Sequence, residues 1–347
     1  MKGAMFYGPG DMKVIEVPTP GCPAGGALIK LSGAMICGSD IKIYRNGHPR
    51  IKPPHIFGHE MCGRIVAIDC KDTDLKVGDR VTVQTTIPCG KCKMCQEGLF
   101  NICEDLRGIS QDYYGAFAEY VAIPDQAMRM GNLIRITDDS LPDEVVCIAE
   151  PLACVINGQE LLNIRPGEDV LVIGGGPIGI LHAELARMSG AGRVFLAEFS
   201  ANRINMARVF GYNHYIDTAK TNLVEEIMKL TGNRGVDVAI VTAPARAPME
   251  QAVETLTFRG RMSLFGSLPK GDSDITLDSR PIHYKELTVI GSSSSATRHM
   301  KKALSILSTG GIRTGSIITH RLPLENILEG IELGVRGEAF KVYLTMD

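Results

Sequence analysis

One stretch limits the possible folds more than any other: Asp169-Val170-Leu171-Val172-Ile173 runs straight into Gly174-Gly175-Gly176-Pro177-Ile178-Gly179, then into a second apolar run. A short β-branched run bounded by glycine reads as a buried strand, and the spacing over 178–188 reads as a helix. Gly174, Gly176 and Gly179 have the G-x-G-x-x-G spacing. The first allows a tight turn, the second lets backbone approach a pyrophosphate, and the third lets helix and strand pack closely. Pro177 and Ile178 open the helix, whose positive N-terminal end suits the pyrophosphate. Glu198 follows Gly179 by 19 residues and ends the next apolar strand. It is placed to accept hydrogen bonds from ribose hydroxyls. A 2′-phosphate at roughly 4 Å from it would cost on the order of 4 kcal/mol at an effective dielectric near 20. That favours NAD over NADP. Arg203 nearby argues the other way, since an arginine here can hold a 2′-phosphate.

The pattern continues on both sides of this stretch. Apolar strands are expected at 169–173, 193–198, 236–241, 261–265 and 287–290, alternating with helices at 178–188, 202–210, 223–230 and 248–256. Such alternation implies β-α-β units and a parallel sheet covered on both faces. Residues 1 to about 125 differ: short alternating runs separated by Gly, Pro and Asp turns predict a β-rich domain. A further helix is expected at 297–307, in a C-terminal segment that returns to the first domain. At 347 residues the chain is long enough for two cores.

A net charge of −2 gives no electrostatic reason to expect nucleic acid or an anionic membrane as partner. The N-terminus has no basic-then-apolar leader pattern, and no run of 18 apolar residues is evident. A cytoplasmic setting is expected, in which the ten cysteines serve as thiols or metal ligands rather than disulfides.

Four of the ten stand as C-x2-C-x2-C-x7-C: Cys89, Cys92, Cys95 and Cys103. This spacing points to a closed tetrahedral zinc that contributes folding energy. Glu104, where an iron-sulfur run would carry proline, argues against a cluster. Cys22, Cys62, Cys70, Cys147 and Cys154 lack ligand spacing and are expected as buried small side chains. Elsewhere Cys37, His59 with Glu60, and Glu150 supply thiolate, imidazole and carboxylate. Those are the ligand types of a catalytic zinc with one open position. The other seven histidines, from His48 to His320, have no ligand-like spacing and are taken as structural or exposed.

Cys37-Gly38-Ser39-Asp40, Gly58-His59-Glu60, the four-cysteine lobe, Glu150-Pro151-Leu152 and the glycine fingerprint occur here in that order. In this the chain resembles the medium-chain zinc-dependent alcohol dehydrogenases. Glu-Pro-Leu, where simple alcohol dehydrogenases carry a cysteine ligand, resembles the polyol branch of sorbitol and butanediol dehydrogenases. The resemblance implies an α/β protein: a β-rich chaperonin-10-like catalytic domain (1–152), a Rossmann domain with a doubly wound parallel sheet (153–291), and a C-terminal return (292–347). It implies two zinc ions and NAD, a cleft between the domains, and a homodimer or homotetramer. Cys37 and His59 then look like direct ligands of the catalytic zinc. Glu60 looks like a carboxylate that ligates transiently or orients the site, and Glu150 like a ligand, direct or through water. Ser39 resembles the hydroxyl that takes the substrate proton. Lys42 stands where the family often has a relay histidine; it either replaces that relay, binds a substrate anion, or is simply exposed. Gly266 and Ser267, after a strand end, are expected near the nicotinamide carboxamide. The implied reaction is hydride transfer from a secondary alcohol, a polyol or sugar alcohol, to NAD. A sugar-alcohol phosphate, a vicinal diol or threonine are alternative substrates. A zinc-binding structural protein without activity is the alternative of another class, against which the intact Cys37, His59 and Glu150 speak.

Overall fold

The computed structural model describes residues 1–346, which form two compact units. The first takes in Met1–Ala153 and the stretch from Ser294 onward; the second is Cys154–Ser293.

The first unit is built on a sheet ordered Ile318–Pro323, Lys341–Thr345, Ala27–Met35, Glu60–Ile68, Arg80–Val83 and Leu133–Arg135. Tyr120–Ile123 pairs alongside Ala27–Met35. All these pairings are antiparallel except Ile318–Pro323 with Lys341–Thr345, which are parallel. Parallel neighbours need a crossover, supplied by the helix Ile327–Arg336. Beneath the sheet, Phe57 packs edge-on against Phe6 and Phe117, each at 5.5 Å between ring centres. All three rings are buried, in the arrangement that ring quadrupoles favour.

The second unit holds six parallel strands ordered His214–Asp217, Arg193–Glu198, Asp169–Ile173, Val236–Val241, Leu256–Leu264 and Thr288–Gly291. Numbered within the unit, that is 3-2-1-4-5-6, the doubly wound dinucleotide-binding order. The sheet reverses direction of build between Asp169–Ile173 and Val236–Val241. The glycine stretch leaves the sheet at this point, where open α/β sheets bind ligands.

Several local expectations shift. The strand expected at 261–265 starts earlier, as Leu256–Leu264, with Arg259 in the left-handed region at φ 58° where its register slips. The helix expected at 248–256 is instead Arg246–Gln251 followed by a 3-10 turn, Ala252–Thr255. The run 202–210 is a helix, Ala201–Ala207, closed by a 3-10 turn that Gly211 ends at φ 60°. Cys62 and Cys147 are buried, whereas Cys22, Cys70 and Cys154 are half-buried. The helical stretch Asp143–Leu162 is long and apolar enough to cross a membrane by those measures alone, and 78% of it is buried inside the protein. Its apolar surface is core.

Candidate active site

The site begins at one end of an antiparallel strand pair. Met35 pairs with Glu60, so the residues just beyond Met35 lie against those just before Glu60. Cys37, two residues past the first strand, caps the helix Gly38–Asn46; His59 immediately precedes the second strand. Gly58 makes this approach possible. Its φ is 102°, and a Cβ there would meet the Phe117 ring at 2.8 Å. Donor atoms of Cys37, His59 and Glu60 consequently lie within 4.8 Å of one another.

Two residues hold this group in place that spacing alone did not reveal. Asp40, fully buried on the first turn of the helix, accepts a hydrogen bond from the Cys37 backbone N–H at 2.9 Å. Its other oxygen lies 3.1 Å from Nδ1 of His59, whose Nε2 is 3.3 Å from Ser39 Oγ. Lys341 donates to both carboxylate oxygens of Glu60, at 2.5 and 2.6 Å. Asp40 lies within the Cys37 motif, and an acid three residues after the helix cap is the signal that could have pointed to it. Lys341 gave only a faint signal, a lone cation opening an apolar strand.

The electrostatics suit a cation. Burial works against a protonated His59, yet the Asp40 carboxylate and the Cys37 sulfur raise its pKa well above the ordinary value. Burial also works against the Lys341 ammonium, while Glu60 keeps its pKa above normal. Glu150 is pushed up to about 7, chiefly by burial and against the pull of His59. A thiol, an imidazole and a carboxylate gathered in a negative field are the donor set that zinc takes. Glu150 stands outside the 4.8 Å cluster but lines the same cavity as Ser39, Lys42 and His59. That cavity has a volume of about 370 Å³. Ser39 Oγ lies 3.3 Å from His59 Nε2. His48, expected as structural or exposed, also lines it.

The four-cysteine lobe is a second donor set. Its sulfurs lie within 4.8 Å of one another, with Cys89 to Cys95 at 4.0 Å and Cys92 to Cys103 at 3.8 Å. A tetrahedron of ligands about 2.3 Å from zinc has edges of about 3.8 Å, so the lobe fits the ion. The backbone N–H groups of Glu104 and Cys95 pull Cys92 down to about 6, whereas burial pushes Cys95 up to about 12 and raises Cys103.

In the second unit, each glycine has its own reason. Gly174 has φ 111°, which a side chain resists, and a Cβ on Gly179 would sit 1.8 Å from the Gly174 carbonyl oxygen. A Cβ on Gly176 would meet nothing within 4 Å. Gly176 therefore borders open space at the start of the helix Pro177–Met188, as a pyrophosphate cradle requires. Glu198 is buried, and its oxygens accept from the backbone N–H groups of Gly175, Phe199 and Ser200 at 2.7 to 2.9 Å. Arg203 lies 3.9 Å from it. Gly266 packs against the carbonyls of Thr242 and Ala243, at the same end of the sheet, and Ser267 beside it is exposed.

Residues 23–132 match the alcohol dehydrogenase GroES-like domain, and residues 177–309 match the zinc-binding dehydrogenase domain. The chain is 34% identical to an L-threonine 3-dehydrogenase of Pyrococcus horikoshii, covering 99% of this chain and 96% of that one. It is 30% identical to a sorbitol dehydrogenase of Bacillus subtilis, with the same coverage. A protein of Sinorhizobium meliloti 1021 described as a zinc-binding dehydrogenase, solved with NADP, superposes with a TM-score of 0.91 at 30% identity. That match covers 99% of this chain and 98% of the other. With a sulfur lobe that fits zinc, a Cys-His-Glu group beside a cavity and a dinucleotide cradle, the chain belongs to the medium-chain, zinc-dependent alcohol dehydrogenase family and is an NAD(P)-linked oxidoreductase.

Proposed function

We propose that the enzyme oxidises a secondary alcohol of the polyol or sugar-alcohol class with NAD, in the cytoplasm. The observation that carries this reading is the cavity in which Ser39, His59 and Glu150 meet. Cys37 and His59 would hold the catalytic zinc, with Glu60 and Glu150 as its carboxylates, the latter direct or through water. Cys89, Cys92, Cys95 and Cys103 would hold the structural ion. Zinc held there would polarise the alcohol oxygen and NAD would take up the hydride, giving a ketone, NADH and a proton.

The chain's own residues orient and deprotonate. Ser39 Oγ, 3.3 Å from His59 Nε2, accepts the hydrogen bond of the reacting hydroxyl and, as it takes up that proton, releases its own to solvent in the cavity. Asp40 keeps His59 in one tautomer and one ring orientation. Glu150 presents a carboxylate to a hydroxyl next to the reacting one. Residues 1–152 and 292–347 form the catalytic part in this reading, and 153–291 hold NAD. Gly174, Gly176, Pro177, Ile178 and Gly179 form the cradle; Glu198 faces the ribose with Arg203 beside it; Gly266 and Ser267 stand near the carboxamide.

The sorbitol and threonine named for the relatives are both secondary alcohols with a polar neighbour, which supports the class. The test is an NAD-coupled screen of polyols, vicinal diols, L-threonine and 2-butanol at saturating zinc. Polyols should give the highest kcat/KM, and a preference for 2-butanol would reject the reading. Light scattering of the same sample should give two or four subunits.

A further inference from the structure

The active-site cavity carries charge that a neutral polyol does not need. Three cations line it, Lys42, Arg50 and Arg107, against one carboxylate in the lining, Glu150, among the described residues. Glu150 is close enough to His59 to feel its charge. Both arginines are paired with acids. Asp112 pairs with Arg50 and lies 4.0 Å from Arg107, while Asp105 lies 3.7 Å from Arg107. Asp112 is itself fixed by the Gly108 N–H at 2.7 Å. Arg50 uses one nitrogen, Nη2, for both Asp112 and the Leu106 carbonyl. Its Nε and Nη1 make no hydrogen bond with the described residues. Lys42, on the helix that carries Ser39 one turn earlier, pairs with no carboxylate among the described residues. Burial, then the Arg50 charge, lowers the pKa of His48, which keeps that imidazole neutral beside the cations.

A fold-stabilising role accounts for the Arg50–Asp112 pair. It does not account for an unpaired ammonium and spare guanidinium donors facing one cavity. Cations lining a cleft raise the local concentration of anions, and a guanidinium with free donors binds carboxylate or phosphate. The polar side chains in the same lining, including Thr86, Ser110 and Gln111, would serve a polyol chain.

We infer that the substrate is an anionic secondary alcohol, a polyol bearing a phosphate or carboxylate. Its anion sits among Arg50, Lys42 and Arg107, and its reacting hydroxyl lies toward Ser39 and His59. This rests on the reading of the cavity as the alcohol site, and it assigns Lys42 to anion binding rather than to a proton relay.

The experiment compares kcat/KM with NAD for a hexitol, its monophosphate and the matching hexonate, at low and high salt. One of the two anions should exceed the hexitol by at least tenfold, and the advantage should shrink with added salt. The phosphate and carboxylate arms identify which anion it is. Arg50→Gln and Lys42→Gln should each lower the anion-to-neutral ratio by tenfold or so, a comparison internal to each variant and independent of its overall activity. A hexitol that matches or beats both anions, or a ratio unchanged in both variants, would overturn the inference while leaving the polyol reading intact. Turnover of none of the three by zinc-replete enzyme would overturn both.

Discussion

Lys341 Nζ lies 2.5 and 2.6 Å from the two carboxylate oxygens of Glu60, and the side chains are 1% and 0% exposed. They are 281 positions apart in sequence and meet in one sheet. Two charges removed from water are tolerable only together, since either one alone keeps the full desolvation cost. Lys341→Met should therefore lower unfolding stability by about 3–5 kcal/mol, read as a urea midpoint shift at constant m. Adding Glu60→Gln removes the stranded charge and should recover more than half of that loss. Equal losses in the single and double variants would show that packing, not charge pairing, is what Lys341 supplies.

The two metal groups should behave differently. The four-cysteine set is a closed shell within a folded lobe, whereas the Cys37–His59–Glu60 group borders a cavity. Zinc analysis should give two ions per active chain. A mild chelator should abolish turnover while the circular dichroism spectrum holds, and Cys92→Ser should lower the melting temperature instead. A fully active preparation with one zinc per chain would refute the two-ion account.

How much of this was readable in advance depends on how far apart the partners lie. The zinc lobe spans Cys89 to Cys103, and the glycine cradle with Glu198 spans one β-α-β unit, so local spacing reported both. The strand His214–Asp217 was missed because four residues, two of them ionisable, carry no clear alternation. The helix Ala149–Leu162 was missed because most of its faces are buried, which erases the apolar stripe that marks a surface helix. Glu60 was legible as a carboxylate near zinc, but its buried partner was not, because nothing local links the two. Arg50 and Arg107 carry no local sequence signal; only the fold brings them into the lining of one cavity.

Cofactor choice follows from Glu198. Its carboxylate is buried and held by three backbone N–H groups, so it cannot swing away from a 2′-phosphate. NAD should be preferred over NADP by at least tenfold in kcat/KM, which needs only about 1.4 kcal/mol of repulsion. Glu198→Ala should erase most of that preference. Equal use of both cofactors by the wild-type enzyme would mean that Arg203, 3.9 Å from the carboxylate, dominates.

Acid stability should reflect His182. The ring is fully buried, 4.5 Å edge-on from Phe265, and burial lowers its pKa to about 3. In the unfolded chain the value is about 6.5, so the unfolded state takes up the proton first as pH falls. The contribution of neutral His182 is thus complete above about pH 6.5 and is lost below it, by about 1.4 kcal/mol per pH unit until the folded state also protonates. His182→Leu should flatten the stability curve by that slope between pH 6 and 4. Parallel curves for the two proteins would show that His182 titrates normally.

Glu150 should discriminate between kinds of alcohol. It lines the cavity beside Ser39 and His59, and burial raises it to about 7, so its carboxylate form needs a donor or cation close by. A hydroxyl adjacent to the reacting one can donate to that carboxylate, whereas a simple secondary alcohol has no such group to offer. A polyol should therefore exceed 2-butanol by about one to two powers of ten in kcat/KM. Glu150→Gln keeps the shape but removes the charge, and should cost the polyol more than 2-butanol at equal zinc content. If the substitution slowed both substrates by the same factor with zinc retained, Glu150 would be serving the metal alone.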